Sequence, residues 1–470
     1  MVQRHRTEET LLFGAFVWKT KLTAHTGQKE DAMKAREIMS RLEKAGHQAF
    51  LIGGAVRDML LGLTPKDEDV VTSARPSEII PLFRDCKVSE VGKSFGVVII
   101  NGSEVATFRS DRYEGFNDKA VEITYASSLK EDVARRDFTI NAMAMTSNGE
   151  IIDYFNGRAD LAAKVIRFVG IPADRIKEDP NRILRAFRFA AKINGVIAPE
   201  SIEAIKESKE FVRLHVAPER IHKEILAAMT TEKPSIFFRL MQETGILEDV
   251  FPAMASCWRH EHGHHHAEDV FEHLMLAGDH APKKDAVLRL AAFLHDVGKP
   301  ETFDPFAGTF YDHEKAGAEI LVPELRKLKF GNDEIARICG LVALHMRMLN
   351  PNTPKAARRL LRDMEDRNVS VRDMIRIAYA DMAGRHKRSD LFLPLLAKYR
   401  ELRTELRRSE PVHALRHLKI DGRQVMVVCG IKPSKQVGLI LERLLQDVID
   451  DPSTNTPKEL ECRAAKYARQ

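Results

Sequence analysis

One stretch constrains this chain more than any other: residues 50–72, FLIGGAVRDMLLGLTPKDEDVVT. Ala49-Phe50-Leu51-Ile52 is an apolar run of strand length. Gly53-Gly54 breaks it, because paired glycines permit a tight turn and leave backbone N–H groups open to a ligand. Residues 55–61 have helical character with Arg57 near the start, and Gly62 and Pro65 end the run. Asp67-Glu68-Asp69 then leads into Val70-Val71, a second apolar run. In a strand, residues i and i+2 share a face, so Asp67 and Asp69 are expected to point one way and Glu68 the other. Two carboxylates on one face beyond a glycine turn suit Mg²⁺ and a triphosphate. Taken alone, the tripeptide also reads as a solvated loop. Gly54 N–H and Arg57 at fixed distance upstream favour the first reading, since the planar guanidinium binds phosphate oxygens bidentately.

At 470 residues the chain exceeds one hydrophobic core. Its 44% apolar and 30% charged residues are ordinary for a soluble globular protein. No run approaches the ~20 apolar residues of a membrane span. Residues 1–30 hold only a short apolar run, residues 11–18, and read as an N-terminal extension or misassigned start rather than a signal peptide. Five cysteines without a CxxC pair fit a reducing, cytoplasmic setting and exclude a cysteine-type zinc site by spacing. A net charge of +5 permits an RNA partner without requiring one.

Residues 31–45 read as an amphipathic helix, with Ala35, Ile38, Met39 and Leu42 at helical spacing. Residues 97–108 read as a hairpin turning at Asn101-Gly102. Strand, helix and strands in this order suit a small mixed sheet with helices. From residue 176 onward helical periodicity dominates. Three further constellations carry chemistry. The first is Arg135-Arg136-Asp137-Phe138-Thr139-Ile140-Asn141-Ala142. The second is Glu178-Asp179-Pro180-Asn181-Arg182 and onward to Phe189, where Asp179 precedes a proline and is expected to cap a helix. Arg182, Arg185 and Arg188 recur every three residues and stay near one face, with Ile183, Leu184, Phe187 and Phe189 opposite. The third is Leu294-His295-Asp296-Val297-Gly298-Lys299, whose imidazole and carboxylate suit Mn²⁺, Fe²⁺, Ni²⁺ or Zn²⁺.

GGAVRD followed by KDED, with RRDFTINA and EDPNRILRAFRF, resembles the class II tRNA nucleotidyltransferase and poly(A) polymerase family. The resemblance implies an α+β architecture: a polymerase β-like head over residues 31–155 and an all-α neck over 156–255. It implies an HD domain over 256–410 and a helical tail over 411–470. It also implies transfer of C or A from CTP or ATP to a tRNA 3′ end, with Mg²⁺ on Asp67 and Asp69. Glu104 is the candidate third carboxylate. By the same resemblance, Asp137 contacts the sugar, Arg136 the phosphates or base-reading groups, and Asp179 with Arg182 the base edge. Arg185 and Arg188 line the phosphate channel. Gly92-Lys93-Ser94-Phe95-Gly96 favours the tRNA type over a poly(A) polymerase, which remains the alternative. CCA, CC and A addition all stay open, the deciding segment being residues 111–130.

In the helical half the family's HD pattern is met by His273, His295, Asp296 and Asp381 as metal ligands. His313 and His345 fall where some HD enzymes hold a second metal, and Lys299 is placed to meet a phosphate. An HD phosphohydrolase whose head only docks RNA is the rival of another class. The tract His260, His262, His264, His265 and His266 is given no role. The basic run over residues 398–423 and the GIKPS element suggest an RNA-facing tail, although the family pattern has Pro-Gly where Pro433-Ser434 stands.

Overall fold

A computed structural model describes residues 35–90, 96–113, 121–260, 269–349, 354–385 and 414–469, with isolated positions between 397 and 404. Residues 1–30, 92–95, His262, His264, His265, His266 and most of 398–413 lie outside the described residues. The chain divides into two compact units: residues 1–110, 123–132 and 144–152, and residues 111–122, 133–143 and 153–470.

The first unit is built on a mixed sheet. Helix α1 (Ala35–Lys44) buries Ala35, Ile38, Met39 and Leu42, the four residues at helical spacing. Strand β1 (Ala49–Ile52) pairs antiparallel with β2 (Val70–Thr72), and α2 (Gly54–Leu60) connects them. After α3 (Pro76–Leu82) come β3 (Val88–Ser89), β4 (Val97–Ile100) and β5 (Ser103–Thr107). Asn101 and Gly102 both take positive φ, 48° and 90°, as a two-residue hairpin turn requires. A ribbon of β6 (Arg109–Tyr113) and β7 (Val121–Tyr125) and helix α4 (Leu129–Ala134) follow, then β8 (Met143–Met145) and β9 (Ile151–Asp153). The sheet order is β3-β4-β5-β2-β1-β8-β9, with β2 parallel to β5 and β1 antiparallel to β2 and β8. Its apolar face is closed by Val56, Ile79, Phe83, Val98, Val105 and Phe108, all fully buried.

Beyond Asp153 the described residues of the second unit form helices, with one short parallel strand pair, β10 (Val165–Ile166) and β11 (Val196–Ile197). The helices that carry its chemistry are α5 (Pro172–Glu178), α6 (Asn181–Ile193), α7 (Pro218–Met229), α8 (Ser235–Glu243), α9 (Val270–His280) and α10 (Ala286–Leu294). They continue with α11 (His313–Lys327), α12 (Asn332–Leu344), α13 (Pro354–Asp366) and α14 (Val371–Ala383). A tail of α15 (Gly422–Cys429), α16 (Lys435–Asp450) and α17 (Pro457–Tyr467) closes over its own apolar cluster around Val425, Leu444, Val448 and Leu460. Among the described residues no helix is long and apolar enough to cross a membrane.

Arg289 on α10 stitches this unit together. It is buried, and its guanidinium donates to Met229 O at 2.9 Å, Thr231 O at 2.6 Å, Gly278 O at 3.0 Å and Asp279 O at 3.0 Å. One planar fork thus satisfies carbonyls at the C-terminal ends of α7 and α9, groups no helix can pair internally.

Candidate functional sites

In the first unit, Gly53 sits at φ 70°, ψ −124°, a conformation open to glycine and strained for other residues. The turn delivers Gly54 as the first residue of α2. Arg57, on the first turn, is buried and donates through Nε and Nη2 to Asp58 Oδ1 at 2.9 and 2.7 Å. Its guanidinium lies over Gly54, where an added Cβ would stand 3.4 Å from Nη2.

Asp67 and Asp69 do not lie within a strand: β2 begins at Val70 and both aspartates are exposed in the segment before it. The β1–β2 pairing nevertheless reaches them, because Ile52 N donates to Asp69 O at 3.1 Å. Glu68 turns to α1, its Oε2 accepting from Ala35 N at 3.4 Å. Glu104 immediately precedes Val105, the residue registered with Val70 across the parallel β2–β5 pair, as Asp69 precedes Val70.

In the second unit the arginine helix α6 buries Ile183, Leu184, Phe187 and Phe189. The structure corrects the cap: Pro180 is the N-cap of α6, and Asp179 is the C-cap of α5. Asp179 still serves the helix start, since Oδ1 accepts from Asn181 N at 3.1 Å. The arginine stripe is not a solvated face. Arg182 is buried, bonded to Glu178 at 2.6 Å, to Arg175 O at 3.0 Å and to Arg135 O at 3.2 Å. Arg185 meets Asp137 through Nη2 at 2.5 Å and Nε at 2.9 Å. Arg188 meets Glu224 at 2.5 Å and lies 4.3 Å over the Phe189 ring.

Asp137 is buried, and it also accepts from Asn141 Nδ2 at 3.0 Å and Phe138 N at 2.9 Å. Burial would raise its carboxyl, but Arg185, Asn141 and Arg182 hold it below the ordinary value. Arg136 is half-buried. Asp179 and Arg182 share a backbone bond, Arg182 N to Asp179 O at 3.0 Å. Their side chains take other partners, with Asp179 Oδ2 bonded to Arg220 at 2.8 Å. Of the pairings that sequence reasoning missed, only Glu178–Arg182 has a local signal, its i,i+4 spacing. Asp137–Arg185 and Glu224–Arg188 span 48 and 36 residues.

The HD residues converge. The apolar α10 runs directly into His295 and Asp296. Gly298 follows because α11 passes too close for a side chain: a Cβ there would meet His313 O at 2.1 Å. Asp296 Oδ2 lies 3.3 Å from His295 Nε2, 3.5 Å from His273 Nε2 and 2.7 Å from Lys299 Nζ. Asp381 Oδ1 lies 3.1 Å from His273 Nε2 and 3.6 Å from His295 Nε2. The other oxygen, Asp296 Oδ1, faces His313 Nε2 at 3.1 Å and His345 Nε2 at 3.4 Å. All six ligand candidates are buried.

Three rings are fixed from behind. His295, His313 and His345 Nδ1 stand 2.8, 2.8 and 2.7 Å from the carbonyls of Ala292, Phe310 and Val342. An Nδ1–H donated to a carbonyl leaves Nε2 as a lone pair aimed at a cation. His273 and His295 Nε2 are 3.1 Å apart, close to the ~3.0 Å between adjacent ligands on an octahedral ion with bonds of about 2.1 Å. The donor set fits a divalent cation, with Asp296 able to bridge two. Behind the cluster, Arg385 donates to Asp381 Oδ2 at 2.8 Å. Burial would lower His295, but Asp296 and Asp381 push it up to about 10, as expected for a carboxylate-rich cluster that a cation would neutralise.

Comparison with known proteins follows the same division. Residues 49–167 match the family described as Poly A polymerase head domain, residues 196–257 the Probable RNA and SrmB- binding site of polymerase A, and residues 263–381 the HD domain. The CCA-adding enzyme of Levilactobacillus brevis is 40% identical over 222 residues, 46% of this chain and 55% of that protein. Along these segments the chain is similar, in order, to a poly(A) polymerase head domain, its RNA-binding segment and an HD domain. It spans about half the length of the curated relatives it matches at the higher identities. The CCA-adding enzyme of Limosilactobacillus reuteri is 29% identical over 435 residues, 90% of this chain and 93% of its own. The Bacillus stearothermophilus CCA-adding enzyme, solved in complex with CTP, has the same fold: TM-score 0.68 at 24% identity, covering 94% of this chain and 98% of that one.

Proposed function

We propose that this chain is a template-independent RNA nucleotidyltransferase that adds C, A or both from CTP and ATP to tRNA 3′ ends. The observation that carries the reading is the first unit's constellation. A glycine turn, a buried Arg57 and two exposed carboxylates are gathered at one pair of strand ends, with Glu104 on the neighbouring register. Relatives named as CCA-adding enzymes support it.

In this reading Asp67 and Asp69 hold Mg²⁺, with Glu104 as the third carboxylate. Bound there, Mg²⁺ would neutralise charge on the attacking and leaving oxygens. Gly54 N–H and Arg57 hold triphosphate oxygens, and Asp58 fixes the guanidinium in place. Asp137 and Arg136 serve the sugar and the phosphates, and Arg185 and Arg188 the phosphate channel. Asp179 and Arg182 read the base. An aspartate accepts from an exocyclic amino group while an arginine donates to ring nitrogen or carbonyl, which selects C and A over G and U. Glu178 and Arg220 orient that pair.

The HD cluster is a second site, for phosphate ester hydrolysis, its six ligands holding one or two divalent cations and Lys299 meeting the phosphate. Incubation with tRNA lacking its CCA end and each labelled NTP tests the main reading. Extension by C, A or CCA supports it. Long A tails on unstructured RNA would make it a poly(A) polymerase, and no incorporation of either nucleotide would leave the HD hydrolase as the chain's activity.

A further inference from the structure

Each carboxylate oxygen that faces the His273–His295 pair also meets a basic side chain. Asp296 Oδ2, 3.3 Å from His295 Nε2, lies 2.7 Å from Lys299 Nζ. Asp381 Oδ1 lies 3.1 Å from His273 Nε2 and 3.6 Å from His295 Nε2. Arg385 donates to that same oxygen from Nη2 at 2.9 Å and from Nε at 3.2 Å, and to Asp381 Oδ2 from Nη2 at 2.8 Å. The oxygen aimed at a cation is therefore the one that the guanidinium contacts twice. Behind His295, His313 and His345 the arrangement is different, since neutral carbonyls fix those rings and add no charge.

One role for such a contact is to satisfy and orient a buried carboxylate. Backbone packing already does the orienting. A Cβ at Gly384 would stand 2.9 Å from Ala277 N and 3.1 Å from Ala277 Cα, so the chain at the end of α14 runs directly against α9. Asp381 lies about one helical turn before Gly384, and His273 about one turn before Ala277. The close approach thus sets the register of this ligand pair without help from Arg385. What Arg385 adds is a fixed positive charge. A cation ligated by Asp381 Oδ1 would share that oxygen with two N–H donors and meet a like charge in a buried setting, where repulsion is stronger than in water.

We propose that Arg385 holds down the cation affinity of the HD cluster by competing for Asp381, so that its divalent ion exchanges with solution instead of being a fixture of the fold. This rests on the reading of the cluster as a divalent-cation site. For a borderline ion such as Mn²⁺ the imidazoles are neutral ligands, and Asp296 and Asp381 supply the negative charge. Lys299 and Arg385 each offset one of those charges. Loss of the arginine should therefore tighten the site, opposite in sign to the loss that follows when a purely supporting partner is removed.

The test is a calorimetric Mn²⁺ titration of the full chain carrying Asp67→Ala with Asp69→Ala, which removes the other proposed cation site. His295→Ala in the same background identifies the heat that belongs to the HD cluster. Arg385→Met and Arg385→Gln should bind Mn²⁺ roughly 10- to 100-fold more tightly than the parent, the size of effect that outer partners of metal ligands exert. Both should release it more slowly to a chelator. Arg385→Lys, which keeps the charge, should stay near the parent, and binding as tight as in Arg385→Met would overturn the charge argument. Equal or weaker binding in the two neutral variants overturns the proposal and leaves Arg385 as a support for Asp381. Neutral variants that fold poorly and are not rescued by Mn²⁺ overturn it too, because tighter binding to the native state must raise their melting midpoints. Parent binding without a gain in the variants sinks the proposal alone. No parent binding that His295→Ala removes sinks the cation reading with it.

Discussion

Asp137→Ala probes whether the neck is held by the ion pair that the structure contains. The buried carboxylate takes two hydrogen bonds from Arg185, one from Asn141 and one from Phe138 N. Removing it strands a guanidinium whose side chain is only 33% exposed, together with an amide and an N–H. Breaking a buried pair from one side costs about 3–5 kcal/mol, and partial water access to Arg185 sets the expectation at the low end, about 3. At roughly 1–2 °C per kcal/mol for a unit this large, the midpoint of its transition should fall roughly 3–6 °C. Adding Arg185→Met should recover a large part of the loss, since no unpaired charge then remains.

The pH arm has a definite sign. Asp137 is held below its ordinary value of 3.8, so its contribution is present above that value and lost as pH falls through the folded-state value. Urea unfolding from pH 7 to 3 should therefore show a shallower acid slope in the variant than in wild type. A loss below about 0.5 kcal/mol at pH 7, typical of a surface site, with identical acid slopes, would refute the argument.

Two further predictions concern groups outside the chemistry. Glu324 caps the short helix at Pro252–Ala255 through Ala253 N at 2.9 Å, and burial raises its carboxyl to about 7. Its ionisation therefore opposes folding, and wild type should lose stability as pH rises from about 4.5 to 7, whereas Glu324→Gln should not; parallel melting curves over that range would contradict this. Arg289→Met removes the guanidinium donors to the α7 and α9 ends and should cost about 3–5 kcal/mol by chemical unfolding, with Arg289→Lys intermediate; a loss under 1 kcal/mol would show that the carbonyls find other partners.

What the sequence revealed was what local chemistry decides. The glycine turn, the Asn101-Gly102 hairpin and the apolar face of α1 follow from spacing and backbone preference, and each stands in the structure as read. What stayed hidden depends on which element packs against which. Arg182, Arg185 and Arg188 were legible as a stripe, but their carboxylate partners come from α5, the RRDFTINA segment and α7. Arg289 reads as one more helical arginine until its carbonyl partners, up to 60 residues away, are in view. The cap on α6 went to Pro180 rather than Asp179 because α5 runs up to Glu178 and leaves Asp179 as its last half-turn.

The central claim is that Asp67 and Asp69 carry nucleotidyl transfer while the HD cluster is a separate site. Asp67→Ala with Asp69→Ala, and separately His295→Ala with Asp296→Ala, should be compared for incorporation of labelled CTP and ATP into tRNA lacking its CCA end. The account predicts that the first variant, folded by circular dichroism, loses incorporation by at least about a thousandfold, as removal of metal-held charge stabilisation does, whereas the second retains it. Incorporation that survives loss of both aspartates, or that disappears with the HD pair in a folded protein, would contradict it.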